Sequence, residues 1–271
     1  MGKSEKKSHP TVLYLSHGVG PMPLLGDSGH KEMVDNLKMI AATISKPSAI
    51  ILISAHWEEA MPTITQAANP PLVYDYYGFP EQAYEIQYPA SGAPDLAQTV
   101  FSVFGEKGIK STLDDKRGFD HGMFVPLKIM YPKADVPCIQ LSLVNHLKPG
   151  EHINIGKALS SLTCDNLLVI GSGFSFHNMK AFFAPKTAEM EMSNKAFTRW
   201  LNDTCSNPNI EEDERSFRLE NWENAPSARY CHPREEHLLP LHVCYGVANC
   251  ACSEFFELEI IGKKASVYFW G

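Results

Sequence analysis

At 271 residues, 44% of them hydrophobic, the chain carries enough apolar material for one large α/β domain or two small ones. A net charge of -7 with no basic stripe argues against a nucleic-acid partner. No run of about 18 apolar residues suggests a membrane span, and the short polar start MGKSEKKSHP lacks the apolar stretch of a signal peptide, so the expected location is the cytoplasm.

Thr11 to Ser16 reads as a buried strand that ends on a histidine, His17. A Gly/Pro-rich loop, Gly18 to Gly29, leads into His30 to Ser45, where Met33, Leu37, Ile40 and Ile44 recur at helical spacing. Ala49 to Ala55 is a second strand and ends on His56. Strand, helix, strand is a βαβ unit, and open α/β sheets bind ligands at the C-terminal ends of their strands. Asn69 to Pro94 is too aromatic for a disordered linker and reads as an ordered excursion that packs on the domain. Its stretch Tyr74 to Tyr88 either walls a flat pocket or is plain surface packing of tyrosines. A helix over Asp95 to Glu106, a short strand near Ile109 to Leu113, a strand over Val136 to Leu143 and a helix over Gly150 to Leu162 follow. Asn166 to Gly171 is another buried strand, opening into a glycine-containing loop that carries His177. Ala188 to Cys205 is an amphipathic helix, and Glu211 to Arg215 a solvated helix start. His237 begins a late helix with Pro240 in its first turn. Phe255 to Ile261 and Ala265 to Trp270 form a hairpin about Gly262-Lys263. With no internal repeat or composition break, a single domain is expected.

Eleven histidines is a high count for this length. His17, His56 and His177 all follow buried strands that could lie side by side, and His237 opens a helix that could reach the same edge. On spacing alone a metal site and four unrelated, locally bonded histidines both remain open. His9, His30, His146, His152, His232 and His242 read as bystanders, with His146 and His152 flanking a turn and facing solvent. His232 and His237 are five apart, not the four of a zincin helix. Gly171-Ser172-Gly173 is not a nucleophile elbow. Seven cysteines without a framework fit reduced thiols.

The order of motifs is more specific than any one of them. Ser16-His17-Gly18, Ser54-Ala55-His56-Trp57, Phe119-Asp120-His121-Gly122 with Val125-Pro126-Leu127, Gly171-Ser172-Gly173 leading to His177-Asn178, and Glu236-His237-Leu238-Leu239-Pro240-Leu241 together resemble the class III extradiol ring-cleavage dioxygenases, the LigB-like superfamily. Within it the chain is most similar to the 4,5-DOPA extradiol dioxygenase branch, from about Val12 to Tyr268. The resemblance implies a single-domain α/β/α sandwich with a central mixed, largely parallel sheet and a metal site at the strand C-terminal ends. The catalytic domain would span 11–271 after a flexible tail over 1–10. It implies metal ligands at His17, His56 and His237, with His177 either a further ligand or the acid/base, and His121 and His177 lining the substrate pocket. Some superfamily members complete the triad with Glu, so Glu236 is an alternative to His237.

What the resemblance implies chemically is ring opening of a catechol such as L-DOPA by dioxygen at ferrous iron, with no nucleic-acid or membrane partner, in a monomer or homodimer. Neutral imidazoles hold Fe(II) firmly while leaving positions open, and they hold Zn(II) as well. A histidine titrating near neutrality suits the proton transfers. Two other readings compete. One is a metal-dependent hydrolase using Glu235 or Glu236 beside a metal-bound water. The other is a non-enzymatic signalling or binding member of the same superfamily.

Overall fold

Near-continuous burial along the apolar runs marks the central strands of the sheet. In the computed structural model, which describes residues 10–271, the elements in chain order are β1 (Thr11–Ser16), α1 (Lys31–Thr43), β2 (Ala49–Glu59), β3 (Thr63–Thr65), α2 (Pro94–Glu106), β4 (Thr112–Asp114), α3 (His121–Met130), β5 (Cys138–Val144) and α4 (Pro149–Leu159). They continue with β6 (Leu167–Gly173), α5 (Met179–Phe183), α6 (Ala188–Ser206), α7 (Glu212–Glu220), α8 (Ala228–Cys231), α9 (Leu239–Ala248), β7 (Glu254–Ile260) and β8 (Lys263–Trp270). The tail expected over 1–10 lies, apart from Pro10, outside the described residues.

All eight strands join one sheet in the order β4-β3-β5-β2-β6-β1-β8-β7. The central strands β5, β2, β6 and β1 are parallel, while β8 is antiparallel to β1 and β3 to β5. The sheet is therefore mixed and largely parallel. Both faces are covered, as parallel strands require. Val12, Tyr14, Ile51, Ile53 and Val169 point into one core, shared with apolar side chains of α2, α4, α6 and α9. Leu13, Leu15, Ile50, Leu52 and Ile170 point into the other, shared with α1 and α3. The result is the expected α/β/α sandwich.

On the first face α4 and α9 approach closely at a pair of glycines. A Cβ at Gly156 would lie 2.1 Å from the Val243 carbonyl oxygen, and one at Gly246 2.1 Å from that of Ile153. On the other face α3 was not legible as a helix. His121–Met130 is buried on nearly every side and contains Pro126, so it shows no 3.6-residue stripe.

Three local readings need correction. β2 does not stop at Ala55 but runs to Glu59, and its pairing with β5 slips between Ile53 and Glu58. His56 thus sits in a bulged stretch of strand rather than beyond a strand end, and bulges re-aim side chains. His152 does not face solvent: α4 starts at Pro149, which turns His152 inward with Ile153 and Ile155. The hairpin turns one residue early, at Ile261-Gly262, where both residues have positive φ, the demand of a two-residue type I′ connection.

Candidate metal centre

The register of the three central strands decides where the histidines go. Ser16 pairs with Gly173 and Ser54 with Ser172, so β1, β2 and β6 end at one edge of the sheet. His17 follows β1 directly, its backbone N–H donating to the Gly173 carbonyl at 2.9 Å. His237 arrives from the opposite layer, just ahead of α9. A Cβ at Gly173 would lie 2.1 Å from the His237 carbonyl oxygen, so only glycine lets the two backbones approach this closely. The Phe174 N–H and the Tyr14 hydroxyl both donate to that carbonyl, at 3.0 Å each, and hold it in place.

His17, His56 and His237 come together, each offering one ring nitrogen within 4.8 Å of the other two. The Nε2 of His56 is 3.1 Å from that of His17 and 3.3 Å from that of His237. Imidazole nitrogens about 2.0–2.1 Å from one ion, at tetrahedral or octahedral angles, sit about 2.8–3.4 Å apart. Protons on these nitrogens are ruled out for His17 by its other neighbour. The Ser172 hydroxyl donates to the Gly122 carbonyl, so toward His17 Nδ1, 2.9 Å away, it can only accept. His17 is therefore protonated at Nδ1 and carries its lone pair on Nε2. Glu236 Oε1 lies 3.1 Å from His237 Nδ1 and sets the same tautomer there. Asp75 Oδ2 lies 3.8 Å from His56 Nδ1. Burial, and then the neighbouring imidazoles, push the pKa of His17 and His237 well below the ordinary value. Burial and His121 do the same to His56, against the pull of Asp75. Three neutral rings with converging lone pairs form a donor set suited to Fe(II) or Zn(II).

His177 and His121 stand beside this group. The His177 ring stacks on His237 with centroids 3.4 Å apart, and its Nδ1 is 3.0 Å from Glu236 Oε1. It groups with Glu236 and His237 rather than with the three converging nitrogens. Glu236 is thus a bracket between two imidazoles. Burial works against its charge, but the His177 contact outweighs that and holds its pKa below the usual carboxylate value. Glu235 turns outward to Arg229 at 2.7 Å, so of the two carboxylates the hydrolase reading named, Glu236 alone lies beside the centre. The His121 ring is 4.0 Å from that of His56, and its Nδ1 and backbone N–H both reach Asp75 Oδ1, at 2.8 and 3.0 Å.

Asp75 and Ser172 are the functional positions that sequence reading missed. Asp75 lies within the aromatic excursion, flanked by tyrosines, and nothing in its local pattern sets it apart. That excursion is ordered and pinned: Tyr74 donates to Ile86 O at 2.6 Å, and Val73 N–H to Phe119 O at 2.8 Å. Tyr76, Tyr77 and Phe79 wall a cavity of ≈ 440 Å³ that opens onto His17, His56, His121, His177 and His237. Beneath the site Asp120 is fully buried and accepts from Ser54 at 2.8 Å, from Gln140 and from Arg117 at 3.3 Å. Ser54 in turn accepts the His56 N–H at 3.2 Å.

The remaining histidines are bonded elsewhere. His152 bridges Lys148 O at 2.8 Å and the Val144 N–H at 3.1 Å, and His232 donates to Ser175 O at 3.0 Å. His30 is less idle than its sequence context suggests. Held by Asp27 at 2.7 Å, it accepts the Val19 N–H at 3.1 Å and so fixes the loop that follows His17. All seven cysteines are free, and none takes part in the centre. Among the described residues no helix is long and apolar enough to cross a membrane.

Comparison with known proteins agrees with this geometry. Residues 5–268 match the family model of the catalytic LigB subunit of aromatic ring-opening dioxygenase. The chain is 39% identical to dioxygenase tasH of Hapsidospora irregularis, over 96% of this chain and 85% of that one. It is 35% identical to a 4,5-DOPA dioxygenase extradiol of Beta vulgaris, over 88% and 87%. Among solved structures, an uncharacterized Escherichia coli K12 protein superposes with a TM-score of 0.75 at 26% identity, covering 97% of this chain and all of that one.

Proposed function

This chain belongs to the LigB family of aromatic ring-opening dioxygenases, and from that premise we propose that it opens the ring of a catechol with dioxygen, using ferrous iron held by His17, His56 and His237. The convergence of three Nε2 lone pairs, 3.1 and 3.3 Å apart, carries the reading. A cation shared by the three rings would satisfy all of these buried nitrogens at once. When bound, Fe(II) supplies open coordination positions and the electron needed to bring triplet dioxygen and a catechol together.

The chain's own groups do the rest. His177, its Nδ1 paired with Glu236, takes the proton from a catechol hydroxyl and later returns one, as a general acid/base. Its pairing with Glu236 favours this role over that of a fourth ligand. His121, oriented through Nδ1 by Asp75, is left with Nε2 for a substrate oxygen. Tyr76 and Phe79 shield the cavity from water and present flat faces to an aromatic ring.

Anaerobic reconstitution with Fe(II), followed by catechol and air, tests the proposal. A yellow ring-fission product and stoichiometric oxygen uptake are expected, with neither from zinc-loaded protein. Absence of product across several catechols, with iron shown to be bound, refutes it.

A further inference from the structure

Within the ring-opening reading, on which this inference rests, the walls of the cavity specify the kind of catechol. We propose that the substrate carries a bulky, uncharged, apolar ring substituent rather than the charged amino-acid side chain of L-DOPA. Beyond the five imidazoles the cavity is lined by Val19, Tyr76, Tyr77, Phe79, Met179 and Phe183, together with Gly18 and Gly20. Among the described residues no lysine or arginine lines it.

Two nearby guanidinium groups are already paired with carboxylates. Arg117 binds Asp120 at 3.3 Å and stacks on Trp57, and Arg234 is held by carboxylates, in a two-pronged pair with Glu58 at 2.5 and 2.6 Å and at 3.4 Å from Glu236. Lys180 lines an adjoining depression, which shares His177 and Met179 with the cavity, and not the cavity itself. A substrate carboxylate held in the cavity would meet no cationic side chain of the described lining, and burying a charge without a partner is strongly unfavourable.

The rim points the same way. Tyr77 is 92% exposed and Phe183 81%, the two most exposed large apolar side chains among the described residues, and both line this one cavity. They come from unrelated segments, the aromatic excursion and α5. Met179, 40% exposed, lies beside Phe183 on the same short helix. Apolar surface left open to water beside a polar pocket marks a place where an apolar group binds. A substituent projecting from a ring held at the imidazoles would lie between these two lips.

Oxygen uptake by the iron-loaded protein is measured with catechol, 4-tert-butylcatechol, dopamine and L-DOPA, alongside calorimetric titration of each under argon. The expected result is a kcat/KM for 4-tert-butylcatechol at least about tenfold above those for L-DOPA and dopamine, with affinities in the same order. In the double variant Tyr77→Ser/Phe183→Ser, whose changes are both at exposed positions, that preference should collapse to within about threefold. L-DOPA or dopamine matching the tert-butyl compound overturns the inference, as does a preference the double variant leaves intact. If unsubstituted catechol is opened but no preference appears, the substituent inference alone fails. If no catechol is opened at all, the ring-opening reading fails and takes this inference with it.

Discussion

Ser172→Ala tests whether the centre depends on a fixed tautomer or merely on three histidines being near one another. Ser172 is fully buried at the end of β6, between His17 Nδ1 at 2.9 Å and the Gly122 carbonyl. Removing its hydroxyl strands two buried polar groups, the Nδ1–H of His17 and the oxygen of Gly122. Each buried orphan costs about 1–3 kcal/mol, so the metal-free protein should lose roughly 2–6 kcal/mol in denaturant titrations. The further effect is on the metal. Without an acceptor at Nδ1, His17 loses its reason to keep the proton there, and the tautomer with its lone pair on Nδ1 becomes competitive. Outer partners of this kind contribute about 10–100-fold in metal affinity. The assay is competition for Fe(II) or Zn(II) against a coloured chelator. Ser175→Ala serves as the control, because Ser175 is equally enclosed but accepts the Ser266 N–H at 2.7 Å. It should lower stability and leave metal affinity within about twofold. If Ser172→Ala binds metal as tightly as the unaltered chain, the tautomer argument is wrong.

Three further outcomes follow from the same geometry. His237→Ala removes one of three converging nitrogens, and metal content after dialysis should fall below about a tenth of an equivalent; retention of a full equivalent would instead assign the ligand role to Glu236 or His177. Asp75→Asn keeps the volume but weakens the grip on His121 Nδ1, so kcat should fall about 10–100-fold with metal content unchanged; an unaltered kcat would make the pair purely structural. Acid stability reports on His152, which burial lowers to about 4 from its ordinary value of 6.5. Because the folded state resists a proton that the unfolded chain accepts, this contribution is complete above pH 6.5 and is lost as pH falls through that window toward 4. It amounts to about 3 kcal/mol. The stability advantage of the unaltered chain over His152→Gln, measured by urea unfolding, should shrink by about that amount between pH 7 and pH 4; a constant difference would contradict it.

The amino-acid sequence by itself determined the strands and their histidines. Runs such as Val12 to Leu15 and Leu167 to Ile170 are continuously hydrophobic rather than alternating, which is the local mark of parallel strands covered on both faces. Once three such strands lie parallel and share a register, whatever follows them meets at one edge, so a common edge for His17 and His56 was one of the two readings their order left open. The ordered motifs carried the family in the same way. Tertiary structure decided the rest, because it depends on partners far apart in the chain. Ser172 reaches His17 across 155 residues, Asp75 reaches His121 across 46, and His237 reaches His56 across 181. A serine or aspartate has no sequence signature for being an acceptor aimed at a particular ring. The inward turn of His152 and the bulge that swings His56 toward the cavity likewise follow from where α4 begins and how β5 pairs with β2. Hydrophobic periodicity is local and survives in one dimension, whereas the direction of a polar side chain is set by register and packing, which exist only once the chain has closed on itself.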